Sequence, residues 1–217
     1  ALKDGKATEK TYQEEYKLVG YFGRINYNYQ GKYYLSASIR HEGSSKFGAD
    51  HKWGTFPAVS IGWNLKEESF LKNVNFLSFL KLRAGYGITG TIPGNPYLSL
   101  NTLDLGGYGY YGGQWTTLLR ASSNPNPDLR WEKKKETNIG LDFAFFNDRI
   151  SGSIDWYNRD TDDLIWDYTV SVPPYVKNTI TANAGSIRNR GLEVSLNFIP
   201  VKTKSFTWDT GINFSTN

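Results

Sequence analysis

Neither cysteine nor methionine occurs among the 217 residues. Without cysteine the chain holds no disulfide, no thiolate zinc site and no thiol nucleophile. The missing methionine leaves a chain opening at Ala1 with no initiator and no signal peptide, as expected of a mature or internal segment. No apolar run approaches the roughly 20 residues of a membrane-spanning helix, which excludes a helical membrane protein and leaves a strand-based one open. Charge of one sign is also lacking: Lys and Arg number 25 against 21 Asp and Glu, for a net +4 and a pI near 9.0. The basic residues are scattered singly among acids, the pattern of a solvated mixed surface, so no nucleic-acid partner is expected.

Aromatic residues make up 16% of the chain and glycine 22 positions, at a mean hydropathy of −0.52, which is too apolar and aromatic for a disordered polypeptide. Helical spacing is almost absent, while alternation with period two runs along nearly the whole length. From Leu18 to Gln30, Val19, Tyr21, Ile25, Tyr27 and Tyr29 share one face and Arg24, Asn26 and Asn28 the other. Seven further strands follow the same rule: Tyr33–Arg40, Val59–Leu65, Leu80–Ile88, about 131–146, Ile150–Tyr157, Leu192–Phe198 and Phe206–Phe214. Short turns are expected at Gly31–Lys32, Asn147–Asp148 and around Pro200–Lys204, with a short connection at 66–78 containing one helical turn. Long loops alternate with them at about 43–55, 90–129 and 160–187. No repeat and no linker divides the chain, so one domain is expected.

Alternation alone fits either a soluble β-sandwich of the carbohydrate-binding kind or a membrane barrel. Three features favour the barrel. The strands reach the 9 to 11 residues of a tilted membrane strand. One end of each hairpin is short and the other long. Aromatics of the apolar face gather beside the short turns, at Tyr27, Tyr29, Tyr33, Trp63, Phe143, Phe145, Phe198, Phe206 and Trp208, as a lipid-facing girdle. A sparser set at the opposite ends (Tyr21, Tyr86, Trp131, Trp156) suits a second interface. The polar face, with Arg24, Arg40, Lys81, Arg83, Glu136, Asp142, Asp155, Glu193 and Asp209, then becomes a wet or plugged lumen. The fold class expected is therefore all-β: an antiparallel transmembrane β-barrel segment of about eight strands, with short periplasmic turns and long extracellular loops. Eight strands with two open edges should be part of something larger.

Catalytic and metal signals are weak. Gly85–Gly90 matches GxGxxG, but TIPGNP follows it and cannot open the helix that binds a pyrophosphate. His41 and His51 have no second pair of ligands at metal spacing. Asp160, Asp162, Asp163 and Asp167 could make an oxygen-rich calcium site, or be solvated loop acids; the glycine and terminal Glu of an EF-hand loop are missing. No nucleophile stands with a base and an orienting group, so neither enzyme activity nor a cofactor is expected. Asn213-Phe-Ser215 matches a glycosylation sequon but lies within a strand. The loop 90–129 carries Tyr108, Tyr110, Tyr111 and Trp115 among glycines; these rings could contact a sugar or a partner protein, or pack on their own loop.

The segments YFGRINYNY (21–29), HEGSSKFG (41–48), FPAVSIGW (56–63), LRAGYGITG (82–90), NPDLRWE (126–132), NIGLDFAFFNDRISGSIDWYNR (138–159) and NRGLEVSL (189–196) occur in this order. Together they resemble the barrel of the SusC/RagA-like TonB-linked outer-membrane proteins of Bacteroidota, over almost the whole chain. Glu42 stands where that family more often has Asp, and TIPGNPY (91–97) replaces a Gln/Asn-rich stretch, which affects ligand details rather than the fold. The resemblance implies a barrel of about 22 strands with a plugged lumen. It implies an outer-membrane importer of oligosaccharides or peptides, driven by TonB beneath a SusD-like surface lipoprotein. The plug domain, the TonB box and a barrel-closing strand are not found in the chain, which is expected to form part of one barrel domain over 1–217.

Overall fold

The computed structural model describes residues 13–217, together with the backbone of two short paired strands, β1 (Leu2–Lys3) and β2 (Lys6–Ala7). The remaining strands are β3 (Leu18–Tyr29), β4 (Tyr33–Ser44), β5 (Trp53–Asn64), β6 (Leu77–Thr91), β7 (Leu103–Tyr111), β8 (Gln114–Ala121), β9 (Glu132–Phe145), β10 (Ile150–Asp162), β11 (Ile165–Thr169), β12 (Thr179–Asn183), β13 (Ser186–Lys202) and β14 (Thr207–Thr216). Eight of these form one antiparallel sheet in the order β14-β13-β10-β9-β6-β5-β4-β3, so each long strand lies beside its sequence neighbour in an up-and-down meander. The eight expected strands are all present, and the connection after β5 contains a 3₁₀ turn and the single helical turn α1 (Ser69–Lys72).

Turn chemistry sets the tight ends. Between β3 and β4 the chain reverses through Gln30 and Gly31 at φ 55° and 68°, and the Asn28 carboxamide accepts the Gly31 N–H at 3.0 Å. Between β13 and β14 the strands run further than expected. β13 extends to Lys202 past a bulge between Phe198 and Val201, and the turn closes at Thr203–Phe206 through reciprocal bonds of Thr203 N–H to Phe206 O and Phe206 N–H to Thr203 Oγ1.

The other end departs more from expectation. The segments 90–129 and 160–187 are not structureless: each carries a hairpin of its own, β7–β8 and β11–β12. β13 starts at Ser186, six residues before the alternation becomes visible at Leu192, because its first residues, Ser-Ile-Arg-Asn-Arg-Gly, show no apolar alternation yet pair with β10 in continuous register.

The two faces of the sheet are sharply unequal. Ile25, Ile61, Ile139 and Ile212 stand exposed on one side, and no second large sheet covers them among the described residues. A sandwich would bury that side against a partner sheet. The buried hydrophobic cluster instead sits on the polar side near the long-loop end, where Phe47, Phe56, Leu129 and Trp131 pack together. Trp131 corrects the expected second aromatic set. It lies just before β9, is 3% exposed, donates its indole N–H to Lys52 O at 2.9 Å and meets Phe56 edge-on, rather than facing outward with Tyr21, Tyr86 and Trp156. Strand parity does not extend to a residue outside the ladder.

Candidate functional site

Polar-face residues are joined across strands. Arg83 on β6 makes a two-pronged pair with Asp142 on β9 at 2.7 and 2.8 Å, and reaches Asp155 on β10 at 2.9 Å. Arg159 on β10 pairs with Glu136 on β9 at 2.9 Å, and within β4 Arg40 pairs with Glu42 at 2.6 Å. Lys81 lies 4.5 Å over the Tyr34 ring. Charges so paired neutralise one another beside water or a polar partner, which a dry core would penalise.

On the opposite face, at the short-turn end, Tyr27, Tyr29, Tyr33 and Trp63 stack in sequence with neighbouring centroids 6.3 to 6.5 Å apart. Glu68, in the connection after β5, accepts hydrogen bonds from Tyr33 Oη (2.6 Å), Trp63 Nε1 (3.1 Å) and Lys32 Nζ (3.3 Å). Those donors, the Tyr33 hydroxyl foremost, hold its carboxyl below the usual Glu range. Phe198, Phe206 and Trp208 lie at the same end of β13 and β14, with Phe206 and Trp208 exposed.

The long-loop end is rigidly braced by asparagine amides. Asn124 donates to Lys177 O and Thr179 O at 2.7 and 2.8 Å and accepts from the N–H groups of Val176 and Lys177. Asn126 donates to Thr181 O at 3.0 Å, and Asn183 to Arg130 O and Asp163 O at 2.8 and 2.9 Å. Arg130 pairs with Asp163 at 2.7 Å, which raises the guanidinium pKa further. Lys46, nearly buried, points its ammonium at the carbonyls of Pro93 (2.9 Å) and Gly94 (2.6 Å). These contacts tie the β8–β9 connection, the β11–β12 hairpin and the 91–98 loop into one cap over the Phe47–Trp131 cluster. Residue patterns had not marked them; the Asn-Pro-Asn-Pro run at 124–127 is the available signal, since Asn before Pro favours a fixed turn.

From that cap β7–β8 projects with its rings uncovered: Tyr108 is 75% and Tyr111 85% exposed, and Tyr110 meets Trp115 edge-on at 5.5 Å. The rings do not fold back over the base of their loop. The four aspartates considered for calcium are dispersed: Asp160 pairs with Arg188, Asp162 with Lys135, Asp163 with Arg130, and Asp167 accepts from Thr181 Oγ1. Among the described residues no group of three or more His, Asp or Glu is gathered for a metal. Gly85–Gly90 lies within strand β6, not at a helix start.

Residues 3–217 match the profile of the family described as TonB dependent receptor-like, beta-barrel. The chain belongs to that family. It is 43% identical over 221 residues to the TonB-dependent receptor SusC of Bacteroides thetaiotaomicron, covering 99% of this chain and 22% of SusC. It is 40% identical to the TonB-dependent receptor P39 of Formosa agariphila, covering 92% of this chain and 19% of P39. The chain thus spans about a fifth of the length of these relatives. Among solved structures, the RagAB peptide importer in its closed-closed state superposes with a TM-score of 0.82 at 29% identity, over 92% of this chain and 22% of that one. The siderophore receptor PirA of Acinetobacter baumannii, at 16% identity and a TM-score of 0.61 over 93% of this chain and 28% of its own, shares the fold. The eight-stranded sheet is therefore a segment of a TonB-dependent receptor barrel.

Proposed function

We propose that this chain forms part of the wall of an outer-membrane importer of glycans or peptides, driven by TonB and working with a SusD-like surface lipoprotein. The observation that carries the reading is the asymmetry of the sheet: an uncovered aliphatic and aromatic face backs directly onto a face of cross-strand ion pairs. A lipid-facing wall around a polar lumen needs that combination. In this reading Tyr27, Tyr29, Tyr33, Trp63, Phe198, Phe206 and Trp208 form the periplasmic-side girdle. Tyr108, Tyr110, Tyr111 and Trp115 reach outward to touch cargo or the lipoprotein. The plug and the TonB contact belong to other parts of the importer.

The test is made on the native protein. Detergent extracts of outer membrane should contain this sequence within a heat-modifiable chain several times heavier than 24.6 kDa, and uptake should stop when TonB is inactivated. A native polypeptide of 24.6 kDa in the soluble fraction would overturn the reading.

A further inference from the structure

The outer wall changes chemistry abruptly above its apolar band. Register places Leu141, Ile154 and Val194 in one row across β9, β10 and β13, with Ile139, Trp156 and Leu192 in the next outward-facing row. Two residues further along each strand stand Thr137, Asn158 and Arg190, then Lys135, Asp160 and Arg188, then Lys133, Asp162 and Ser186. These positions have the parity of the lipid face; those on β9 and β10 have strand neighbours on both sides, whereas residues 186–190 of β13 pair with β10 alone among the described residues.

Height follows from strand geometry. From Ile154 to Asp160 is six residues, about 20 Å at roughly 3.4 Å per residue. With a tilt of about 40° this is roughly 15 Å along the barrel axis, about half the hydrocarbon thickness of a bilayer. If Ile154 lies near the midplane, Lys135 and Arg188 stand at the level of lipid headgroups, and Arg190 just beneath. The cations Lys133, Lys135, Arg188 and Arg190 outnumber the acids Asp160 and Asp162 there. Lys135 is paired with Asp162 at 2.9 Å and Arg188 with Asp160 at 2.5 Å, whereas Lys133 and Arg190 have no ion pair among the described residues and are exposed. An open cavity of about 320 Å³ lies among Lys135, Asp160, Asp162, Ser186 and Arg188.

We infer that this patch binds the phosphate-bearing headgroup of an outer-leaflet lipid, with Lys133 and Arg190, which have no ion pair among the described residues, as the cations that hold it and the two ion pairs as its frame. The inference rests on the barrel-wall reading. A solvated surface would have no reason to put its excess charge in one band just above the aromatic row, whereas cations at the headgroup level attract anionic lipid directly.

The experiment uses the full-length receptor, purified from outer membrane in neutral detergent. Native mass spectrometry would follow titration with phosphorylated lipid A, with its enzymatically dephosphorylated form and with inorganic phosphate. The wild type should hold phosphorylated lipid A as a discrete adduct. The pair Lys133→Gln and Arg190→Gln, which leaves both ion pairs intact and so spares the fold, should weaken the adduct about tenfold or more. Lys134→Gln, next in the chain but on the inner face, should not. Adding Lys135→Gln and Arg188→Gln should weaken it further, with heat-modifiable migration checking the fold. Equal adducts in wild type and the first pair, equal binding of the dephosphorylated lipid, or inorganic phosphate competing as well as the lipid would each overturn the assignment. Failure to find the full chain in outer membrane would instead overturn the barrel-wall reading itself.

Discussion

The guanidinium of Arg83 crosses the backbone of Gly140 to reach Asp155 two strands away, Nη2 to Oδ1 2.9 Å. A Cβ at position 140 would lie against both the Asp155 carboxylate and the Arg83 guanidinium. A side chain there is excluded by the ion pair rather than by backbone conformation.

Gly140→Ala should therefore leave the barrel folded, since both obstructing groups are ends of flexible side chains, but should displace Arg83 from Asp155. The expected cost is about 1 to 3 kcal/mol, the range for overfilling a packed site. A double-mutant cycle with Arg83→Gln and Asp155→Asn in the full-length receptor, folded in lipid, checks it. The coupling between the two residues should vanish in the Gly140→Ala background, and a coupling that persists would contradict the bridging geometry.

Depth along the outer wall gives a second expectation. Ile154 faces outward between Leu141 and Val194, whereas Tyr29 sits in the stacked aromatic row beside the tight turn. Arg at Ile154 should cost about 2 to 4 kcal/mol and Arg at Tyr29 about 0 to 1. Ser153→Arg, on the polar face, should be mild. Reversible unfolding in lipid measures all three, and equal large losses at Tyr29 and Ile154 would speak against lipid on that face.

Replacing Tyr110, Tyr111 and Trp115 with Ala removes exposed rings from a hairpin that pairs only with itself among the described residues. Receptor stability should stay within about 0.5 kcal/mol per site, as for other surface changes. Uptake, lipoprotein association, or both should fall, because exposed aromatic anchors contribute mainly when a partner covers them. Uptake assays paired with co-purification separate the two contacts, and unchanged values for both would remove the hairpin from the recognition surface.

Glu68 predicts a pH effect. Its carboxyl is held below the ordinary 4.5 by donors from Tyr33, Trp63 and Lys32. A carboxylate with a depressed folded-state pKa stabilises the folded form above its unfolded value and loses that contribution as pH falls through the folded one. The thermal midpoint of the wild type should exceed that of Glu68→Gln at neutral pH. The gap should narrow as pH drops below about 4.5, the Glu reference value. A gap independent of pH would mean that geometry, and not charge, makes the contribution.

Much of this architecture can be read from alternation. Period two assigns Ile25, Ile61, Ile139 and Ile212 to one face, because successive side chains in a strand must point to opposite sides. Turn residues such as Gly31 mark where the meander reverses, and the uneven connections distinguish its two ends. The hairpins β7–β8 and β11–β12 escaped the same reading, since glycines and prolines dilute the pattern and pairing there is short.

Trp131 marks the boundary between the two kinds of information. The sequence by itself determined the eight strands of the main sheet, their alternating faces and the family, all of which follow from local periodicity and ordered motifs. Tertiary structure alone decided that Trp131 turns inward onto Phe47 and Phe56, that Asn124, Asn126 and Asn183 bolt two long loops together, and that Arg83 spans three strands over Gly140. Such contacts join residues dozens of positions apart, and their partners are selected by register and chain reversal in space, which no local pattern encodes.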